Sequence, residues 1–204
     1  MVRVVKADVD GLMAASEVVA QGGIIGYPTD TVYGLGCNPF DENAIGKLIA
    51  AKGNRTKPLP VLVKTLTDAE KVADLSEKAV LLARRYWPGP LTLVLRAKER
   101  VPALLSPDRS IGVRSPKYAT CLSLLGLCSG LLIGTSANKT GAVPATTADE
   151  VVKQLGDQID LVVDGGKATL GIASTVVDVR NSLVVIREGP ISKEELLKCL
   201  RVRK

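Results

Sequence analysis

Short apolar runs, each cut off by a polar or turn-forming residue, do most to limit what this chain can form. Residues 60–64, 91–96, 111–114, 131–135, 161–164, 175–178 and 183–187 are runs of four to six residues rich in Val, Leu and Ile. They are too short for buried helices and read as strands. Between them lie helical stretches with start and stop signals. One covers residues 10–21 and ends at Gly22. Another is capped by Asp41, runs to residue 51 and stops at Gly53. Residues 76–87 carry helical spacing at Val80, Leu81 and Ala83 and close on Pro88-Gly89, and residues 117–125 form a further helix. Thr147-Ala148-Asp149-Glu150 and Ser192-Lys193-Glu194-Glu195 are capping boxes, the first opening a helix to residue 155. The two element types alternate irregularly. That predicts an α/β fold with a mixed sheet and not a regular doubly wound one.

At 204 residues and 46% apolar content, the chain can bury a sizeable core. It has no repeat, low-complexity tract or long linker. The first twenty residues carry Asp8, Asp10 and Glu17 without a long apolar run, and no stretch reaches membrane-spanning length, so a soluble cytoplasmic protein is expected. Lys and Arg outnumber Asp and Glu by 27 to 21, and the net +6 suits a nucleotide, pyrophosphate or RNA. A generic basic surface would give the same excess. Aromatics, at 3%, offer little for stacking on unpaired bases.

There is no histidine. That removes Ser-His-Asp and Cys-His nucleophilic chemistry and every histidine-ligated metal, and no metal site is expected. Cys37, Cys121, Cys128 and Cys199 show no Cys-x-x-Cys spacing and read as small buried apolar residues. A Cys121–Cys128 disulfide stays open for a hyperthermophile.

Ile24 and Ile25 read as a buried strand that Pro28 stops. Thr29, Asp30 and Thr31 then place three short polar side chains where the strand opens, and Gly34 and Gly36 let backbone come close to a neighbour. By itself this is an ordinary turn. Lys52, Arg55 and Lys57 put three cations within six residues past a helix end, as a solvated basic turn or a phosphate clamp. Ser136 and Asn138 follow a buried strand, either bonding locally or donating to a triphosphate or carboxylate. Arg114 and Arg187 end strands, either in surface ion pairs or gripping a carboxylate, and Ser174 opens a strand. No standard nucleotide cradle is complete. Gly34-Leu35-Gly36 runs into Cys37-Asn38-Pro39 without the third glycine, and Asp164-Gly165-Gly166-Lys167-Ala168 lacks the closing hydroxyl.

Eight pieces in order carry a resemblance. They are Pro28-Thr29-Asp30-Thr31-Val32-Tyr33-Gly34-Leu35-Gly36; Lys52 and Arg55 before Lys57-Pro58-Leu59; Trp87-Pro88-Gly89-Pro90-Leu91-Thr92-Leu93-Val94-Leu95; Gly112-Val113-Arg114-Ser115-Pro116; Thr135-Ser136-Ala137-Asn138; Asp164-Gly165-Gly166; Ser174-Thr175-Val176-Val177-Asp178; and Arg187-Glu188-Gly189-Pro190. This series resembles the YrdC/TsaC family, the L-threonylcarbamoyladenylate synthases, in its single-domain form. The resemblance implies a YrdC-like domain over residues 10–195, with a twisted mixed parallel and antiparallel sheet flanked by helices, and a basic tail over residues 196–204. It implies Thr29, Thr31, Arg114 and Ser174 at L-threonine. Lys52, Lys57, Ser110, Ser136, Asn138 and Arg187 would line ATP, and Lys52 and Arg55 would act in catalysis. Arg55 falls one place later than the family's Lys-x-Arg spacing.

The implied reaction joins threonine and bicarbonate as a carbamate whose oxygen attacks the α-phosphorus of ATP. Threonylcarbamoyl-AMP and pyrophosphate result. A downstream threonylcarbamoyl-transferase complex would use the product on the tRNA adenosine next to the anticodon. Magnesium would arrive with ATP, without dedicated protein ligands, and a weak tRNA contact is expected. A carbamate is already an anion, so its attack needs positioning and charge neutralisation more than a base. Two other readings stay open: an RNA/tRNA-binding module without nucleotidyl transfer, and a carbamoyl-transfer relative of the hydrogenase-maturation type.

Overall fold

A computed structural model describes residues 2–53, 58–168 and 172–201. Its elements in chain order are β1 (Arg3–Lys6), α1 (Val9–Ala20), β2 (Ile25–Tyr27), β3 (Gly34–Gly36), α2 (Glu42–Lys52), β4 (Val61–Val63), α3 (Leu66–Ala69), β5 (Ala73–Asp74), α4 (Glu77–Tyr86), β6 (Leu91–Ala97), β7 (Ser110–Arg114), α5 (Ala119–Leu127), β8 (Leu131–Ile133), β9 (Thr135–Ser136), α6 (Ala148–Leu155), β10 (Leu161–Asp164), β11 (Thr175–Asp178), β12 (Val184–Arg187) and α7 (Lys193–Arg201). The mixed α/β class read from the sequence holds, with the strands divided between two sheets. The first sheet has the order β1-β10-β2-β3-β9 and the second β12-β11-β6-β7-β4-β8, with β5 pairing the far end of β6.

Caps set the helix starts. Asp8 accepts from the Gly11 amide at 2.9 Å, so α1 begins a residue earlier than predicted. Asp41 accepts from Ala44 at 3.0 Å. The Ser192–Glu195 box closes in both directions, at 2.8 and 3.3 Å. The Thr147–Glu150 box closes one residue off: the Glu150 carboxylate accepts from the Thr146 amide at 2.6 Å.

Both faces of the central strands are buried, which is why they read as continuous apolar runs. Ile24, Leu35, Val61, Val63 and Val162 point into the larger core. Their neighbours Ile25, Leu62, Leu161 and Val163 point the other way, into a layer with Leu12 and Val19 of α1 and Leu124 and Leu125 of α5.

The predicted strand 131–135 splits. β8 pairs with β4 in the second sheet and β9 with β3 in the first. Gly134 makes the crossing, because a Cβ there would sit 2.3 Å from Leu62 Cγ. β3 escaped the sequence reading. Its glycines make room for protein and not for a ligand: Cβ atoms at Gly34 and Gly36 would lie 2.8 Å from the Tyr27 ring, and the one at Gly36 also 2.3 Å from the Ile133 carbonyl oxygen. β1 adds a parallel strand beside β10. Residues 196–201, read as a basic tail, continue α7, with Leu196 buried in the core. Among the described residues, no helix is long and apolar enough to cross a membrane.

Candidate functional site

One end of the second sheet gathers much of the chemistry. Its register runs in a row: Arg187 opposite Val176, Val176 opposite Thr92, and Leu62 opposite Arg114. Since Leu93 pairs with Val113, Arg114 follows beside Thr92. Ser174 precedes β11 at the same end. The Arg187 guanidinium donates to the Ser174 carbonyl oxygen, at 3.0 Å from Nε and 2.8 Å from Nη2, and to its hydroxyl at 3.2 Å. The Ser174 hydroxyl also meets Thr92 Oγ1 at 2.8 Å.

Arg114 is 6% exposed and held on three sides. Nε donates to the Gly89 carbonyl oxygen at 3.0 Å, Nη1 to Thr31 Oγ1 at 2.9 Å, and Nη2 to the Asp30 carboxylate. Desolvation first, and then the Arg114 charge, pulls Arg187 below the ordinary arginine value. Arg187 nonetheless remains charged at neutral pH. Asp30 pairs with Arg114, and among the described residues Arg187 makes no ion pair. This end of the sheet therefore carries excess positive charge, with Arg114 buried and Arg187 at the exposed edge.

The turn after β2 is locked by its own hydroxyls. Thr29 Oγ1 donates to the Val32 carbonyl oxygen at 2.6 Å and accepts from the Thr31 amide at 3.2 Å. Its one proton is thereby committed, so its 3.1 Å contact with Thr31 Oγ1 is a donation from Thr31. The relay runs Arg114 to Thr31 to Thr29 to Val32. Thr29 and Thr31, the residues expected at L-threonine, stand in this turn, and their hydroxyls fix it and orient Arg114.

A second cluster lies beside β9. Lys52 is 2% exposed, and its ammonium donates to the carbonyl oxygens of Ser136 and of Asn138, the latter at 2.9 Å. The solvated basic turn considered for Lys52 is therefore not what forms: the last residue of α2 turns inward and ties down the 136–138 loop. Asn138 differs from the donor role considered for it. Both its amide protons are engaged, on the carbonyl oxygens of Lys139 at 2.9 Å and Ala142 at 2.8 Å. What it offers is a buried acceptor, Oδ1, without a partner among the described residues. Ser136 lies opposite Gly34, and the Ala137 amide donates to the Tyr33 carbonyl oxygen at 2.8 Å, so residues 29–34 bridge the two clusters.

Among the described residues no bond brings Ser110 to either cluster. It begins β7 opposite Arg96, roughly 13 Å along the strand from Arg114. Its hydroxyl donates to Asp108 at 2.7 Å. Arg55 and Lys57 lie outside the described residues.

Several contributors went unassigned in the sequence. Asp30 and Thr92 sat inside quoted motifs without a role. An acidic residue between apolar strands was the available signal for a buried arginine partner. Tyr33 and Tyr118 hold the Asp164-Gly165-Gly166 turn, donating to the carbonyl oxygens of Gly166 at 2.7 Å and Gly165 at 2.8 Å. Burial raises the Tyr33 phenol to about 12, so it stays a donor. All four cysteines are free thiols. Burial pushes Cys37 to about 12 and Cys128 to about 11, which leaves little thiolate at neutral pH.

A family model described as Sua5/YciO/YrdC, telomere recombination, matches residues 17–189. A threonylcarbamoyl-AMP synthase of Pyrococcus abyssi is 35% identical over 190 residues, covering 91% of this chain and 56% of that protein. One of Bacillus subtilis is 34% identical over 192 residues, covering 89% of this chain and 54% of that protein. The chain thus spans about half the length of these curated relatives. Among solved structures, P. abyssi Sua5 complexed with L-threonine superposes with a TM-score of 0.91 at 33% identity, over 98% of this chain and 61% of that one. E. coli YciO superposes with a TM-score of 0.86 at 26% identity, over 96% of this chain and 98% of that one.

Proposed function

The chain belongs to the Sua5/YciO/YrdC family, and from that premise we propose that it is a threonylcarbamoyl-AMP synthase. It would condense L-threonine, bicarbonate and ATP to threonylcarbamoyl-AMP and pyrophosphate, for the threonylcarbamoyl modification of tRNA. The observation that carries this reading is two guanidiniums at one sheet end, Arg187 bonded to Ser174 and Arg114 paired with Asp30, so that one positive charge is left over. Such a site is built to receive an oxyanion. Support for threonine as that ligand comes from the P. abyssi structure, whose protein holds L-threonine.

In this reading Arg187, which the resemblance set beside ATP, joins Arg114 at the amino-acid carboxylate because it is bonded to Ser174, with Ser174 as a third donor. The threonine amine takes up bicarbonate, losing water, to give a carbamate. A carbamate oxygen forms a bond to the α-phosphorus of ATP, and the bond to the pyrophosphate oxygen breaks. No protein base is required, which suits a chain without histidine. Lys52, Ser136 and Asn138 would line the nucleotide side, with Asn138 Oδ1 accepting from a nucleotide N–H or O–H. The basic run through Arg55 and Lys57 would neutralise phosphates. Magnesium would arrive with ATP and supply charge neutralisation at its phosphates.

Pyrophosphate release from ATP, measured with threonine and bicarbonate omitted in turn, tests the reading. Release should need both. Equal release without threonine would refute it.

A further inference from the structure

Thr92 is the second residue of β6, in the interior of the second sheet and 5% exposed. A hydroxyl there is costly to bury unless it is bonded. Its one partner among the described residues is Ser174 Oγ, at 2.8 Å. Ser174 Oγ has two partners among the described residues, Thr92 and Arg187 Nη2. Arg187 can only donate, so Ser174 accepts there. Two hydroxyl protons remain, and the Thr92–Ser174 contact accommodates one. Were Ser174 the donor, the Thr92 proton would be shut inside the sheet with no acceptor. With Thr92 as the donor, both lone pairs of Ser174 are filled and its own proton is left over.

We infer that Thr92 is a positioning residue: with Arg187 it saturates the Ser174 oxygen and turns the Ser174 proton outward, making that hydroxyl an obligate donor to a ligand oxyanion. This rests on the reading of this sheet end as the threonine site. Ser174 then discriminates by proton direction. It favours a carboxylate or carbamate oxygen and repels an ammonium or amide donor.

Thr92→Val keeps the branched shape and removes the hydroxyl, while Thr92→Ser keeps the hydroxyl. L-threonine binding by calorimetry, KM and kcat in the pyrophosphate assay, and the urea midpoint should be read for each. Thr92→Val should weaken threonine binding and raise its KM about tenfold, with kcat at saturating threonine and the KM for ATP little changed. Thr92→Ser should restore binding. In a Ser174→Ala background, Thr92→Val should cost no further affinity. Thr92→Ala supplies the same readout if the valine variant does not fold. A lowered midpoint with threonine affinity unchanged would overturn the inference, as would a penalty that persists without the Ser174 hydroxyl. If the unmutated chain binds no threonine, the functional reading itself falls.

Discussion

Asp30 and Arg114 form a buried ion pair, with side chains 6% and 7% exposed. Removing Asp30 should leave the Arg114 charge without its ion-pair partner. Asp30→Ala removes the carboxylate facing Nη2 while the Thr31 and Gly89 contacts hold the guanidinium in place. A buried charge deprived of its partner costs about 3–5 kcal/mol. Asp30→Asn keeps an acceptor and loses the charge, so about 1.5–3 kcal/mol is expected, the range for a hydrogen bond to a charged group. Arg114→Met breaks the same buried pair from the other side and should again cost about 3–5 kcal/mol. The two single costs sum to roughly 6–10 kcal/mol, but the Asp30→Ala/Arg114→Met double variant strands no charge. It should cost no more than about 5 kcal/mol. Urea unfolding followed by fluorescence of Trp87, the chain's single tryptophan, reads all four. A cost below about 1 kcal/mol for Asp30→Ala, or additivity in the double variant, would refute the claim that this pair organises the site.

Lys52→Ala should lose stability as well as turnover, because the buried ammonium satisfies the carbonyl oxygens of Ser136 and Asn138; a cost of about 2–4 kcal/mol by urea unfolding is expected, against about 0.5 for a solvated lysine. Burial works to raise Asp68, but hydrogen bonds from Lys71 and Thr65 outweigh it and hold the carboxyl below its ordinary 3.8. Its contribution is therefore present above that value and lost as pH falls through the lower, folded one. In acid titrations below pH ~4, Asp68→Asn should lose stability less steeply than the unmutated chain, and an unchanged slope would contradict this. With bicarbonate concentration held fixed, turnover should show no limb near pH ~6.5, and such a limb would mean that a strongly shifted carboxylate or cysteine is essential.

Much of the fold was legible because its punctuation is local. Asp41, Ser192, Gly22 and Gly53 mark helix ends in the sequence and in the structure alike. What escaped depends on partners far along the chain. β1 is a strand because residues 161–164 lie beside it, and β3 is one because Tyr27 needs the space of two glycines. At the site, Arg114 and Ser174 could be singled out by residue type. The direction of each proton, and hence the inward role of Thr29 and the acceptor role of Asn138, depends on bonds between residues that only folding brings together. The burial of Lys52 was hidden for the same reason: a lysine at a helix exit looks solvated until a loop 84 residues away supplies its carbonyl oxygens.

The most direct measurement follows the carbon. Incubation with isotopically labelled bicarbonate, L-threonine and ATP should yield a threonylcarbamoyl-AMP that carries the label, with one pyrophosphate released for each product molecule. Pyrophosphate released without a labelled adenylate, or no product formed while the chain still binds tRNA, would contradict the synthase assignment.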